Sequence, residues 1–105
     1  MVDAARLLIY RDTTEVEITA LQGGIIDVDT RIRNRRDHAF AARMARDAID
    51  AIYANVGGNG LALNHPIQRL WRDGNSIAKH ISLNWDAVSS MVGQHTLGLE
   101  PKGQY

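Results

Sequence analysis

At 105 residues the chain is long enough for one small domain, with a core that is marginal unless partner subunits help it. Twelve basic and twelve acidic side chains cancel, so the whole chain offers no electrostatic footprint for nucleic acid or an anionic membrane, and neither is expected as a partner. There is no cysteine, which excludes a disulfide framework and a thiolate metal site; no apolar run approaches the ~20 residues needed to span a bilayer and no signal peptide opens the chain, so a cytoplasmic protein is expected.

The chain reads as helices separated by short breaks. Residues 3–21 place Ala4, Leu7, Leu8, Tyr10, Ile18 and Leu21 at helical spacing, and Gln22-Gly23-Gly24 ends the segment. This helix begins almost at Met1, as if inside a larger architecture. Ile25 to Asp29 reads as a connector, with Asp29 or Thr30 as the next cap. From about Arg31 to Asn55, Phe40, Ala41, Met44, Ala45, Ala48, Ile49, Ile52 and Val56 recur at three and four. Their arc covers about half the helix circumference, so this helix is expected to pack on two sides, with its alanines allowing close approach. The run Arg31, Arg33, Arg35 and Arg36 reads as a solvated helix start. Gly57 stands where a C-cap belongs.

Asn64 or His65 caps a third helix, Pro66 takes its first turn, and Ile67 to about Ile81 follows. A helical wheel predicts three stripes. Ile67, Leu70, Trp71, Gly74, Ile77, Ala78 and Ile81 form the expected core side; Gln68, Arg72, Asn75 and Lys79 form a solvent or interface side. Arg69, Asp73, Ser76 and His80 make a narrow polar stripe between them, in which Arg69 can pair with Asp73 and Ser76 with His80. Asp73 and His80 lie seven apart, about 10 Å along the axis, so a Ser-His-Asp triad within this helix is excluded. Trp85, Val88, Met91, Val92 and Leu97 mark a fourth helix, capped by Ser82 or Asn84 and closed by Gly98. The fold class is therefore all-α, an up-down bundle of three to four helices over residues 1–100, with residues 101–105 a flexible tail, extended or frayed.

Several motifs are absent. Gly57-Gly58-Asn59-Gly60 lacks the GK[ST] ending of a phosphate loop, and no strand precedes it as the dinucleotide fingerprint requires. His38, His65, His80 and His95 show no metal-binding spacing, and Met44 and Met91 read as core filler.

The stretch 57–80 resembles the carboxy-terminal helical domain of the acyl-CoA dehydrogenase superfamily. Gly57, Gly58 and Gly60 match its glycine segment, Pro66 its helix start, and Trp71-Arg72-Asp73 its aromatic-Arg-Asp triplet. In the dehydrogenase branch a catalytic glutamate follows that triplet within about two turns. Here none occurs between Asp73 and Trp85, and His80 stands at nearly the same place. Ile67 to Asp73, His80 and the ending Gly93 to Gly98 are similar instead to two-component flavin-dependent monooxygenases. That branch hydroxylates phenols or oxidises aromatic sulfur compounds with reduced flavin from a separate reductase.

The resemblance runs from about Ala4 to Glu100, the last quarter of a typical member, so a fragment or truncated product is expected, inactive by itself. It implies reduced FMN or FAD as cofactor, shared with missing domains or a neighbouring subunit. It also implies a small aromatic substrate, a flavin reductase, and a homo-oligomer, dimer or tetramer. It casts His80 as the catalytic residue, since an imidazole beside the reactive edge of the flavin can hold and donate a proton. Gly57, Gly58 and Asn59 become cofactor-binding, because missing side chains let backbone donors come close. Arg69 and Asp73 read as structural. The alternatives are an acyl-CoA dehydrogenase-like flavoenzyme domain, or a non-catalytic helical oligomerisation module.

Overall fold

The computed structural model describes residues 1–105 and is wholly helical. Its helices are α1 (Val2–Leu21), α2 (Val28–Ala54), α3 (Pro66–Ile77) and α4 (Trp85–Thr96), with 3-10 turns over Gly58–Leu61 and Ile81–Leu83. The spine is α2, whose 27 residues run about 40 Å; α1, α3, α4 and the second 3-10 turn all pack on it.

Cross-helix pairs fix the directions. Arg11 with Asp37 and Arg33 with Glu15 set α1 antiparallel to α2. Tyr53 stacks on Trp71 with ring centroids 4.9 Å apart and Asp50 bonds Asn75, which sets α3 antiparallel. Phe40 meets Trp85 at 5.3 Å and Asp29 meets His95 at 2.6 Å, so α4 also runs against α2. Consequently α3 and α4 point the same way and lie end to end along α2. The expected up-down bundle of three to four helices is thus three rods, the third broken into two helices.

The molecule is flat and long, 50 × 31 × 19 Å, with a radius of gyration of 16.6 Å. A compact chain of this length would have a radius near roughly 13 Å. The fully buried cluster is small: Ile32 and Ala39 of α2 against Val88 and Met91 of α4, with Trp85, Val92 and Tyr105 packed around it. Leu7, Leu21, Ile25, Leu61, Leu63 and Leu97 remain exposed. Little apolar surface is withdrawn from water, so the chain's own hydrophobic stabilisation is small.

Several boundaries and faces differ from the sequence expectation. Helix α2 starts three residues before Arg31 because Asp27 is the cap, its Oδ1 accepting the Thr30 N–H at 2.7 Å; Asp29 and Thr30, the expected caps, lie inside the helix, and Asp29 pairs with His95. The threonines are accommodated in α1 because Thr13 and Thr19 donate back to the carbonyls of Ile9 and Glu15, each at 2.8 Å. The C-cap of α2 is Asn55, and Gly57 follows with φ of 75°. Helix α3 stops at Ile77 instead of about Ile81, closed by the tight bonds Lys79 N–H to Ser76 C=O and His80 N–H to Ile77 C=O. The expected Ser76–His80 pair therefore does not form, because the two residues no longer share a helix.

The core face of α3 is also rotated. Leu70, Ile77 and Ile81, expected inside, are 57%, 61% and 73% exposed, whereas Asn75, expected outside, turns toward α2. Asp50 is the cause. Its Oδ1 accepts both Trp71 Nε1–H at 2.7 Å and Asn75 Nδ2–H at 3.1 Å, and Gly74 between them admits Ile49. The tail beyond Glu100 is non-helical. Lys102 N–H bonds Gln94 Oε1 at 2.9 Å, and the Tyr105 ring lies under the Arg31 guanidinium at 5.8 Å.

Candidate functional site

His80 is the N-cap of the short 3-10 turn that separates α3 from α4. Its Nδ1 accepts the Ser82 N–H at 3.2 Å. A neutral imidazole accepting at Nδ1 carries its proton on Nε2, so the exposed edge of the ring presents a hydrogen-bond donor. His80 lines a shallow hollow together with Ser76, Ile77, Lys79 and Leu83. The geometry is local in origin, because helix α3 ends at Ile77, three residues before His80.

His65 caps α3 in the same way, its Nδ1 accepting the Ile67 N–H at 3.3 Å, but it is half-buried. His95 is tied to Asp29. His80 alone of these three combines a fixed ring with exposure.

The turn at Gly57, Gly58 and Asn59 is equally specific. Gly57 has φ 75° and ψ −169°, a conformation open to glycine almost alone. Gly58 has open space where a Cβ would stand, so nothing inside the fold requires a glycine there. Gly60 differs: it is buried, and a Cβ would lie 3.0 Å from Val56 Cγ1. The backbone N–H groups of Gly58 and Asn59 make no hydrogen bond to other backbone groups, and both residues are exposed. Two free donors and no side chain at Gly58 fit the approach of an anionic or ring-edge acceptor.

The structure does not bring these two features together. Gly60 packs on Tyr53 and Val56 near the end of α2, whereas Ala78 and Lys79 face Arg43 and Arg46. Some ten residues of α2 separate the two places, roughly 15 Å. The hollow beside His80 contains none of Gly57, Gly58 and Asn59. Arg69 and Asp73 form an exposed i,i+4 pair at 3.5 Å, worth roughly 0.3–0.5 kcal/mol, which suffices to explain them.

A polar cluster between α1 and α2 escaped the sequence reading. Asp12 and Asp37 are only 1% and 3% exposed. Arg11 bonds Asp12 Oδ1 at 3.0 Å and also Asp37, while Arg36 bonds Asp37 Oδ1 at 2.8 Å. The hydrogen bond that Arg11 donates to Asp12, together with both carboxylate charges, raises the Arg11 guanidinium above its ordinary value. His38 Nε2 lies 3.8 Å from Asp12 Oδ2, and neither atom has a hydrogen-bond partner. One signal was available: Asp12 continues the inward stripe of Ala5 at a spacing of seven, an acid at a position where apolar residues belong.

Residues 1–85 match the model of the family described as acyl-CoA dehydrogenase, C-terminal domain. The oxygenase component of an FADH(2)-dependent resorcinol hydroxylase from Rhizobium sp. (strain MTP-10005) is 44% identical over a 108-residue alignment, covering 99% of this chain and 26% of that protein. The oxygenase component of p-hydroxyphenylacetate 3-hydroxylase from Acinetobacter baumannii is 28% identical over 100 residues, covering 95% and 24%. Among solved structures, XiaF from Streptomyces sp. in complex with FADH2 and glycerol superposes with a TM-score of 0.89 at 28% identity, over 97% of this chain and 26% of that one. The HsaA monooxygenase from M. tuberculosis superposes with a TM-score of 0.86 at 28% identity, over 96% and 26%. The chain spans about a quarter of the length of the relatives it matches.

Proposed function

The chain belongs to the acyl-CoA dehydrogenase C-terminal domain family, and from that premise we propose that it serves as the helical part of the oxygenase component of a flavin-dependent monooxygenase that hydroxylates a small phenol. The observation that carries this reading is the 44% identity to the resorcinol hydroxylase oxygenase across 99% of the chain. Bound reduced flavin and O2 supply the transferred oxygen, and a separate reductase supplies the flavin, as FMN or FAD. The working form is a homo-oligomer, in which a neighbouring subunit completes the flavin site.

Each candidate residue has a physical role in this reading. His80 offers the Nε2 donor from a ring pinned through Nδ1, so the proton stands at one defined atom and the ring pays little ordering entropy to use it. The Gly57-Gly58-Asn59 turn presents two unpaired backbone donors to a flavin held mainly by another subunit, which accounts for its separation from His80. No residue from Gly74 to Asn84 is a glutamate, so the proton abstraction of a dehydrogenase has no base in this segment.

A chimera tests the proposal: the matching carboxy-terminal quarter of the Rhizobium hydroxylase is replaced by this chain and assayed with reductase, flavin and resorcinol. Hydroxylated product is expected from the chimera, and its His80→Ala variant should consume oxygen but release mostly hydrogen peroxide. A folded chimera that binds no flavin would remove the monooxygenase reading. An unchanged ratio of product to peroxide in the His80→Ala variant would remove His80 from the chemistry.

A further inference from the structure

Next to the hollow of His80, and sharing Lys79 and Leu83 with it, lies a second concavity of about 320 Å³ between the middle of α2 and the junction of α3 and α4. Three cations, Arg43, Arg46 and Lys79, line it against one carboxylate, Asp86. Asp47 stands behind the arginines, 2.9 Å from Arg46 Nη2 and 4.0 Å from Arg43 Nε, and so offsets part of their charge. Lys79 has no carboxylate partner anywhere in the fold, so positive charge remains in excess at a concave surface whose shape concentrates the field. The rest of the lining is the Asn84 amide and three apolar or flat groups, Ala78, Leu83 and the indole of Trp85, which is held by Phe40 at 5.3 Å and by the Arg43 guanidinium at 5.9 Å.

We propose that this concavity binds a small aromatic carboxylate, with Arg46 and Lys79 taking the carboxylate and Leu83, Ala78 and Trp85 covering the ring. Two features select that class. Converging cations favour an anion, and guanidinium groups match the flat fork of a carboxylate. A volume near the lower end of ordinary ligand pockets, with Ala78, Leu83 and the Trp85 indole among its lining, favours a compact ring over a bare ion. Arg46 is held by its hydrogen bond to Asp47 at 2.9 Å, so it loses less entropy on binding than a free side chain would. The site stands on α2 and on the junction of α3 and α4, and although it borders the His80 hollow, its occupation requires no flavin.

The test uses the 105-residue chain, benzoate as probe, and amide and indole NMR shifts. Benzoate should saturate in the millimolar range with its largest shifts at the Trp85 indole N–H and at residues 78–86, while the Trp71 indole stays fixed. Benzyl alcohol, the same ring without the charge, should bind roughly tenfold or more weakly, since it loses the charge-assisted bonds. Lys79→Met is the informative variant, because the side chain is exposed and makes no ion pair, so the fold survives its loss; binding should fall several-fold. Arg46→Met should weaken benzoate further, and added salt should weaken it in all variants that still bind. Equal affinity for benzyl alcohol, or full benzoate affinity in Lys79→Met, overturns the proposal. Inorganic phosphate binding as tightly as benzoate overturns its aromatic half and leaves a plain anion site. Shifts that spread evenly over the surface without saturating overturn it altogether.

Discussion

Asp50 decides how α3 sits on α2, and its replacement gives the sharpest stability prediction. One oxygen of this half-buried carboxylate accepts from the Trp71 indole at 2.7 Å and from the Asn75 amide at 3.1 Å. In Asp50→Ala both donors lose their acceptor in a setting that water reaches only in part. Hydrogen bonds to a charged acceptor contribute about 1.5–3 kcal/mol each; partial exposure points to the lower end, so the pair is worth about 2–3 kcal/mol. For a domain of this size that corresponds to a fall in Tm of roughly 10–15 °C. Thermal unfolding followed by circular dichroism measures the fall, and the indole NMR signal of Trp71 reports whether the bond has gone. Asp50→Asn keeps one neutral acceptor and should lose about half as much. A drop in Tm of less than about 3 °C for Asp50→Ala, together with an unmoved Trp71 indole signal, would refute the claim that this carboxylate fixes the rotation of α3.

The glycine turn gives a pair of opposite effects. Gly57→Ala should cost about 1–3 kcal/mol in a denaturant titration, because alanine must enter a conformation close to glycine-only. Gly58→Ala meets open space at a φ that is not positive, so it should leave stability unchanged or raise it by about 0.4–1 kcal/mol, while a methyl group beside the free donors weakens flavin binding in the chimera. Asp37→Asn should lower the urea midpoint with an unchanged m-value, by an amount equivalent to about 1–2 kcal/mol, since Arg36 and Arg11 lose a buried partner but stay half-exposed themselves. Asp27 predicts a pH effect. The Thr30 backbone N–H, followed by the Thr30 side chain, holds its carboxyl below the ordinary aspartate value of 3.8. A group lowered in the folded state binds its proton more readily when unfolded. Its contribution is therefore complete above that ordinary value and is lost as pH falls through the lower folded one. Acid unfolding curves of wild type and Asp27→Ala should converge below that window and separate above it.

Much of the fold could be read from periodicity. The half-circumference apolar arc on α2 implied neighbours on two sides, and α2 does carry every other helix. Glycine placement marked the ends of α1, α2 and α4, where Gly23, Gly57 and Gly98 all take positive φ. The errors lie where one polar interaction outweighs a stripe of apolar residues. On α3 the wheel assigns Leu70 and Ile77 to the core, and both stay exposed while Trp71 and Asn75 turn to the Asp50 carboxylate on α2. No count of apolar residues in α3 contains Asp50, so this rotation was not available from α3's own sequence. The start of α2 failed for a similar reason, since Asp27 and Asp29 are equivalent as caps until His95, some sixty residues later, claims one of them.

The site follows the same division between local and distant causes. His80 is singled out by the family resemblance, and its placement is local in cause, since its own cap bond to Ser82 is two residues away. Its separation from the Gly57-Gly58-Asn59 turn depends on how far α2 carries the two apart, which is fixed by contacts such as Gly60 on Tyr53 and Gly74 on Ile49. The two features flank α3, which is held by Asp50 and by the Tyr53–Trp71 stack. If the proposed roles of the turn and of His80 hold, a change at Asp50 should disturb flavin affinity and the product-to-peroxide ratio together, although it touches neither feature. A change at Gly58 should disturb the first alone. Measuring flavin affinity and the product-to-peroxide ratio in both variants of the chimera separates a shared mechanical support from two independent sites. If Asp50→Ala shifts one quantity and spares the other, α3 does not hold them as a unit.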